Sequence, residues 1–174
     1  MGDNAQCGFS YVWFVGHLAD THLQTTPGVF LFAIRRACED TAQNHMDAQY
    51  PIHFESLCEA ALSASEIRIL EMKEDNPWAV TLLSLLKEMS VPCSFREVEA
   101  VWKKAYPQGP GMLVEEDPQL TPPEFADGNW NDVRKALEDL GFCFRLLDGG
   151  FHIPDIYRIG FCLGRKGGVK PLPN

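Results

Sequence analysis

Residues 164–171, GRKGGVKP, hold the best candidate for phosphate chemistry in this chain. Successive glycine amides at Gly167 and Gly168 can form an anion-binding nest, with Arg165, Lys166 and Lys170 supplying charge. Arg158 extends the basic set upstream, and no acid follows Asp155. A solvated terminus accounts for the same residues, because a glycine pair beside a proline-rich end is prone to fray. HLADTH brings His17, Asp20 and His22 close together. Zinc asks for two ligands on one face and a third from elsewhere. His17 and His22 are spaced wrongly for one helical face, and a partly exposed polar turn explains them. Cys143 and Cys162 flank His152, and a cysteine nucleophile needs a histidine within reach. Paired strands would make the three neighbours, although buried cysteines beside a turn histidine are the commoner arrangement. Glu55, Glu59, Glu66, Glu71 and Asp75 could do acid–base work as pairs, but read as the solvated side of a helix. No catalytic, cofactor or metal set is therefore assigned.

Composition sets the bounds. The 174 residues carry a net charge of −9, which repels nucleic-acid backbones unless a local basic patch intervenes. A chain of this length buries roughly 70% of its unfolded surface and needs no disulfide or metal for stability. Its six cysteines are spread along the chain among apolar neighbours and are read as buried, reduced thiols. No apolar run approaches the roughly 20 residues that span a bilayer. FSYVWFVGHLA is apolar but lacks a basic region before it, which makes a poor signal peptide. The expected location is cytoplasmic.

Several elements must position these residues. Residues 9–24 are aromatic-rich without a clear period and fit an extended segment or a short helix. Thr26-Pro27 reads as an N-cap with proline in the first turn. The following helix places Phe30, Ala33, Ile34, Ala37 and Cys38 on one side, opposite Arg35, Arg36, Glu39 and Asp40. Residues 54–74 read as a long helix with a narrow stripe of Leu57, Ala61, Ala64 and Ile67. A buried helix is predicted over 78–89. Ser94 and Glu97 form a capping-box pattern ahead of FREVEAVWKKAY. The proline-rich stretch 106–128 reads as loop. NWNDVRKALEDLG is a helix stopped by Gly141, and short β-like runs follow: FCFRLL, a DGG turn, FHIP and YRIGFCL.

From Trp78 onward, this order resembles a winged helix, with helices Trp78–Met89, Phe95–Tyr106 and Asn131–Leu140 and a wing over Phe142–Leu163. In DNA-binding versions the third helix enters the major groove. Here it carries Asp132, Arg134, Lys135, Glu138 and Asp139, so acids outnumber bases. Through TPGVFLFAIRRA and ALEDLGFCFRLLDGGFHIPDIYRIGFCLGR, the chain also resembles the C-terminal portion of AAA+ and STAND-type P-loop ATPases. In that group a helical lid follows the nucleotide core, and a winged helix follows the lid. Their lid helices often carry an arginine just after the proline; here that position is Gly28, with Arg35 and Arg36 two turns on. No G-x-x-x-x-G-K-[ST] motif occurs in the sequence. The resemblance thus implies lid and wing without the hydrolytic core.

The expected fold class is mainly α (α+β). A helical, lid-like region spans 1–76 and a winged-helix-like domain spans 77–174, with one continuous domain as the alternative. The expected function is a non-catalytic regulatory or protein-interaction module without a cofactor. One alternative is a winged-helix DNA-binding protein that uses the hairpin and basic tail. A cysteine-dependent hydrolase is the other. Candidate anion or partner contacts are Arg158, Arg165, Lys166, Gly167, Gly168 and Lys170. Trp13, Phe14, Phe30 and Phe32 exceed what one small helical layer easily hides and are the interface candidates. A protein partner or a second copy of the chain is expected, with nucleic acid disfavoured by charge and no membrane contact.

Overall fold

The computed structural model describes residues 10–117, 119–120 and 128–166. The aromatic segment forms a helix, α1 (Ser10–Leu18). It gives way to a turn closed by the Asp20 carboxylate, which accepts from the His22 and Gln24 backbone N–H groups at 2.9 Å. Next comes α2 (Pro27–Asn44), entered through Thr26-Pro27, although the Thr26 side chain makes no capping bond. Its inward stripe is Val29, Ala33, Ala37 and Thr41. Cys38 lies about 100° around the helix from Ala37. It is exposed, as is Cys162, so neither is the buried thiol expected of it.

A long helix follows, α3 (Phe54–Asp75), which buries Ser56, Leu57, Ala60, Ala61, Ala64, Ser65 and Met72. That is broader than the narrow stripe expected, because α3 is packed on more than one side. It contacts both α1 and α2, and also elements far along the chain. Alanine and serine at these positions let neighbouring backbones approach closely. Asn76 alone separates α3 from α4 (Pro77–Ser84).

The helix predicted over 78–89 is shorter than expected. After Ser84 the chain tightens into turns, with Leu86 and Lys87 each donating to a carbonyl three residues back, and Glu88 adopts a left-handed φ of 71°. A short strand, β1 (Ser90–Val91), follows. Then come α5 (Phe95–Ala105), the short α6 (Met112–Glu116) within the proline-rich stretch, and α7 (Trp130–Asp139). The Ser94/Glu97 capping box forms as the sequence implies, and Asn129 and Asp132 make a second one for α7. Buried Trp102 donates its indole N–H to the Leu82 carbonyl at 3.0 Å, tying α5 to α4.

Gly141, at φ 78°, ends α7 with paired bonds from Gly141 N to Glu138 O and from Phe142 N to Leu137 O. A Cβ here would also lie 2.9 Å from His22, so the turn after α1 seats against this glycine. The antiparallel hairpin pairs β2 (Phe144–Arg145) with β3 (Phe151–His152). Cys93, just after β1, bridges to Phe151 with N–H···O bonds in both directions.

The last β-like run is a correction. YRIGFCL was expected to complete a wing over Phe142–Leu163. Instead Pro154 leads into α8 (Asp155–Arg158) and a series of turns. Only then does β4 (Gly164–Arg165) form, and it pairs in parallel with β1 rather than with the hairpin. β-branched and aromatic residues fit a buried short helix as well as a strand, and Ser65 of α3 decides between them. Its hydroxyl donates to Ile156 O and accepts from Gly160 N at 2.8 Å, standing in place of a backbone bond between the two.

The described chain is therefore mainly helical, with eight helices and two two-stranded pairings. One buried apolar cluster runs from Phe14 to Leu163, across the boundary proposed at residue 76.

Candidate interaction surface

The basic residues near the C-terminal end divide by what they touch. Arg158 is buried at 9% exposure. Its Nε lies 2.6 Å from Asp155 Oδ1, and Nη1 donates to Leu163 O at 3.1 Å. Its charge is already neutralised inside the fold, which withdraws it from the anion-binding candidates. Arg165 and Lys166 are exposed at the edge of the β1–β4 pair. Arg165 Nη1 reaches Asp155 Oδ2 at 3.4 Å. Lys166 lies close enough to Glu97 to help hold that carboxylate below its ordinary value, after the larger effect of its bonds to Ser94. Gly167, Gly168 and Lys170 lie outside the described residues.

Asp155 is the centre of this region. It meets His17 of α1 (Nε2 to Oδ2, 3.1 Å), Arg158 of α8 and Arg165 of β4. Burial pushes its carboxyl up, but the Arg158 hydrogen bond and the surrounding positive charges outweigh that and hold it below its ordinary value. His17 faces two acceptors, Asp155 and the Trp13 carbonyl at 2.7 Å. The His17 ring faces Asp155 and the Trp13 carbonyl, while the Asp20 carboxylate accepts from the His22 backbone N–H, so the three side chains do not converge.

On α7, Trp130, Val133 and Leu137 face inward. Arg134 is held over the Phe95 ring at 4.7 Å and lies 3.5 Å from Glu138. The exposed charges are Asp132, Lys135 and Asp139. The hairpin tip displays Leu147, fully exposed, beside Asp148 and Gly149. Among the interface candidates, Phe14 is buried at 3% exposure. Trp13, half-buried, stacks on His17 and tilts against Phe54; Phe30 tilts against Phe14; Phe32 is half-buried. The apolar residues this region turns outward are Val12, Val15 and Leu31. Sequence reasoning missed them because aromatics outweighed aliphatics there.

Cys143 is wholly buried, with burial pushing its thiol far up and Glu138 adding to the effect. Such a thiol is not a ready nucleophile. Burial also lowers the pKa of His152, whose Nδ1 is enclosed without a hydrogen-bond partner. No helix among the described residues is long and apolar enough to cross a membrane.

Compared with family models, curated proteins and solved structures, the chain finds no match.

One further group was not singled out in the sequence. His45, His53 and Glu55 bring a ligand-capable atom each to within 4.8 Å of one another. The detectable signal was two histidines bracketing a loop between helices, with an acid two residues past the second.

Proposed function

We propose that this chain is a non-catalytic regulatory or protein-interaction module related to the C-terminal part of P-loop ATPases, with a lid-like helical region and a winged-helix-like part. Support for the winged-helix reading comes from the order α4, β1, α5, α7, β2, β3, interrupted by the short α6 between α5 and α7, with Cys93 bridging β1 to the hairpin. Support for a protein partner rests above all on one observation: the exposed charge of α7 is two acids against one base. A helix of that kind, on a chain of net charge −9, repels the phosphates it would have to approach. The outward aliphatics Val12, Val15 and Leu31 offer a surface of the opposite character.

Arg165 and Lys166, exposed at the edge of β4, favour a second reading, in which the hairpin and basic tail bind nucleic acid. Fluorescence anisotropy with duplex DNA across a salt series separates the two. The proposal expects no binding at physiological salt. Binding that weakens steeply with salt, and is lost on joint replacement of Arg165, Lys166 and Lys170, would establish the second reading instead. Light scattering at increasing concentration, with Val12→Ser and Leu31→Ser for comparison, tests whether the partner is a second copy of the chain.

A further inference from the structure

Between α2 and α3 the chain holds a constellation that neither the lid nor the wing requires. His45 is the residue that ends α2, and His53 is the one that precedes α3. Their rings stack at 3.8 Å between centroids, 17° from parallel. Two carboxylates flank them. Glu55 Oε2 lies 3.7 Å from His45 Nε2 and 4.0 Å from His53 Nδ1, and Asp40 Oδ2 lies 3.9 Å from His45 Nε2.

Two features point to a ligand. His53 occupies an N-cap position, where serine, threonine, aspartate or asparagine would satisfy the helix, yet its side chain makes no capping bond. Its Nδ1 is instead buried, turned to the cluster, and without a hydrogen-bond partner. A buried nitrogen left unpaired is costly and calls for an explanation.

The frame around the cluster is fixed. Buried Thr41 holds both histidine backbones: its carbonyl accepts from His45 N at 3.0 Å, and its hydroxyl accepts from His53 N at 3.0 Å. Asp40 is held by Ser56 Oγ at 2.7 Å and Asn44 Nδ2 at 2.6 Å, and these bonds keep its carboxyl below its ordinary value. Side-chain mobility is left to His45 and to exposed Glu55.

We propose that His45, His53 and Glu55 bind a divalent transition ion of the zinc class, which staples the end of α2 to the start of α3. Two imidazole nitrogens and a carboxylate form a borderline donor set that selects such ions over calcium or magnesium. Tetrahedral zinc at its usual bond lengths sets neighbouring ligand atoms roughly 3.3 Å apart. The 3.7 and 4.0 Å separations therefore contract by less than an ångström. Binding swings the His45 ring out of the stack, so that both nitrogens face one point. Glu55 and Asp40 supply two negative charges against the ion's two positive ones. Asp40 serves as an outer partner, and the fourth coordination position is left to water.

The test uses the full chain stripped with a chelator and titrated with Co²⁺, with Zn²⁺ as competitor. The expected result is a visible d–d spectrum of tetrahedral strength, displaced by Zn²⁺, without a sulfur charge-transfer band. Zinc at a hundredfold excess over Kd raises the melting midpoint by about 5–10 °C for a chain of this size. His45→Gln and Glu55→Gln each weaken binding by more than about tenfold. His53→Asn guards against misreading a folding defect. It supplies a better N-cap, so the metal-free midpoint rises while the zinc response disappears. An absence of cobalt spectrum and of zinc response at millimolar metal would overturn the proposal. So would binding that survives all three substitutions, or a cobalt spectrum dominated by thiolate.

Discussion

The contact between α3 and the turn after α8 allows a quantitative test of the coupling between the helical part and the C-terminal part. Ser65 Oγ donates to Ile156 O and accepts from Gly160 N at 2.8 Å, and Ser65 is fully buried. Ser65→Ala removes two bonds, each worth about 1 kcal/mol net. The expected loss is about 2 kcal/mol, less if the Gly160 N–H and Ile156 carbonyl close onto each other once the hydroxyl is gone. Gly160→Ala acts on the same contact from the other side. A Cβ there would lie 2.8 Å from Ser65 Oγ and would overlap Ile69. Overpacking of this kind costs about 1–3 kcal/mol. The two changes share the Ser65 hydroxyl, so they do not fully add. With the hydroxyl gone, the methyl introduced by Gly160→Ala is relieved of its 2.8 Å contact with Ser65 but still meets Ile69, and the double variant is expected to be less destabilised than the sum by about 1 kcal/mol. Urea unfolding, followed by tryptophan fluorescence, supplies all four corners of the cycle. Additivity within about 0.5 kcal/mol would refute the reasoning, since residues that do not share a contact behave that way.

Asp155→Asn is expected to cost about 2–3 kcal/mol at neutral pH, because it leaves Arg158 buried without its counter-charge; Arg165→Ala, at an exposed partner of the same carboxylate, is expected to cost under about 1 kcal/mol. The folded pKa of Asp155 lies below its ordinary value, so its contribution is complete above the unfolded pKa of about 3.9 and is lost as pH falls through the folded value. The gap in urea midpoint between wild type and Asp155→Asn should therefore hold from pH 7 down to about 4 and narrow as the pH falls further, and a gap that instead closes above about pH 5 would contradict the assignment. Ser94→Ala removes the α5 capping box and is expected to lower stability by about 1 kcal/mol, whereas Ser90→Ala, outside any cap, serves as the comparison in the same denaturation series.

What the sequence made legible follows from interaction range. Ser94 and Glu97, three residues apart, announce α5, and Gly141 announces the end of α7, because each signal and its structural partner lie within one turn. The α3 stripe was read too narrowly because part of what it buries, Ser65 among it, faces α8 far along the chain, and periodicity cannot report a second contact face. The segment after Pro154 was read as strand for the same reason. Its helix is held by Ser65, 91 residues away from Ile156, and nothing in the local composition announces that hydroxyl. Arg158 stood beside Arg165 and Lys166 as a charge, and only the position of Asp155 relative to Leu163 separates the buried guanidinium from the exposed ones.

Asp155 also links the parts that the proposed function would need to connect. Arg158 takes one oxygen at 2.6 Å, and His17 and Arg165 share the other at 3.1 and 3.4 Å. The two cations on Oδ2 come from opposite ends of the chain. His17 belongs to α1, whose outer face carries Val12 and Val15; Arg165 belongs to the strand from which the basic tail departs. A partner that draws Arg165 onto its own anionic group removes one contact from Oδ2 and leaves His17 there. A partner that instead covers Val12 and Val15 engages the same helix directly. The two surfaces therefore meet at a single carboxylate. Under the proposed regulatory role, a partner at Arg165 and a partner at α1 would both bear on the Asp155 carboxylate.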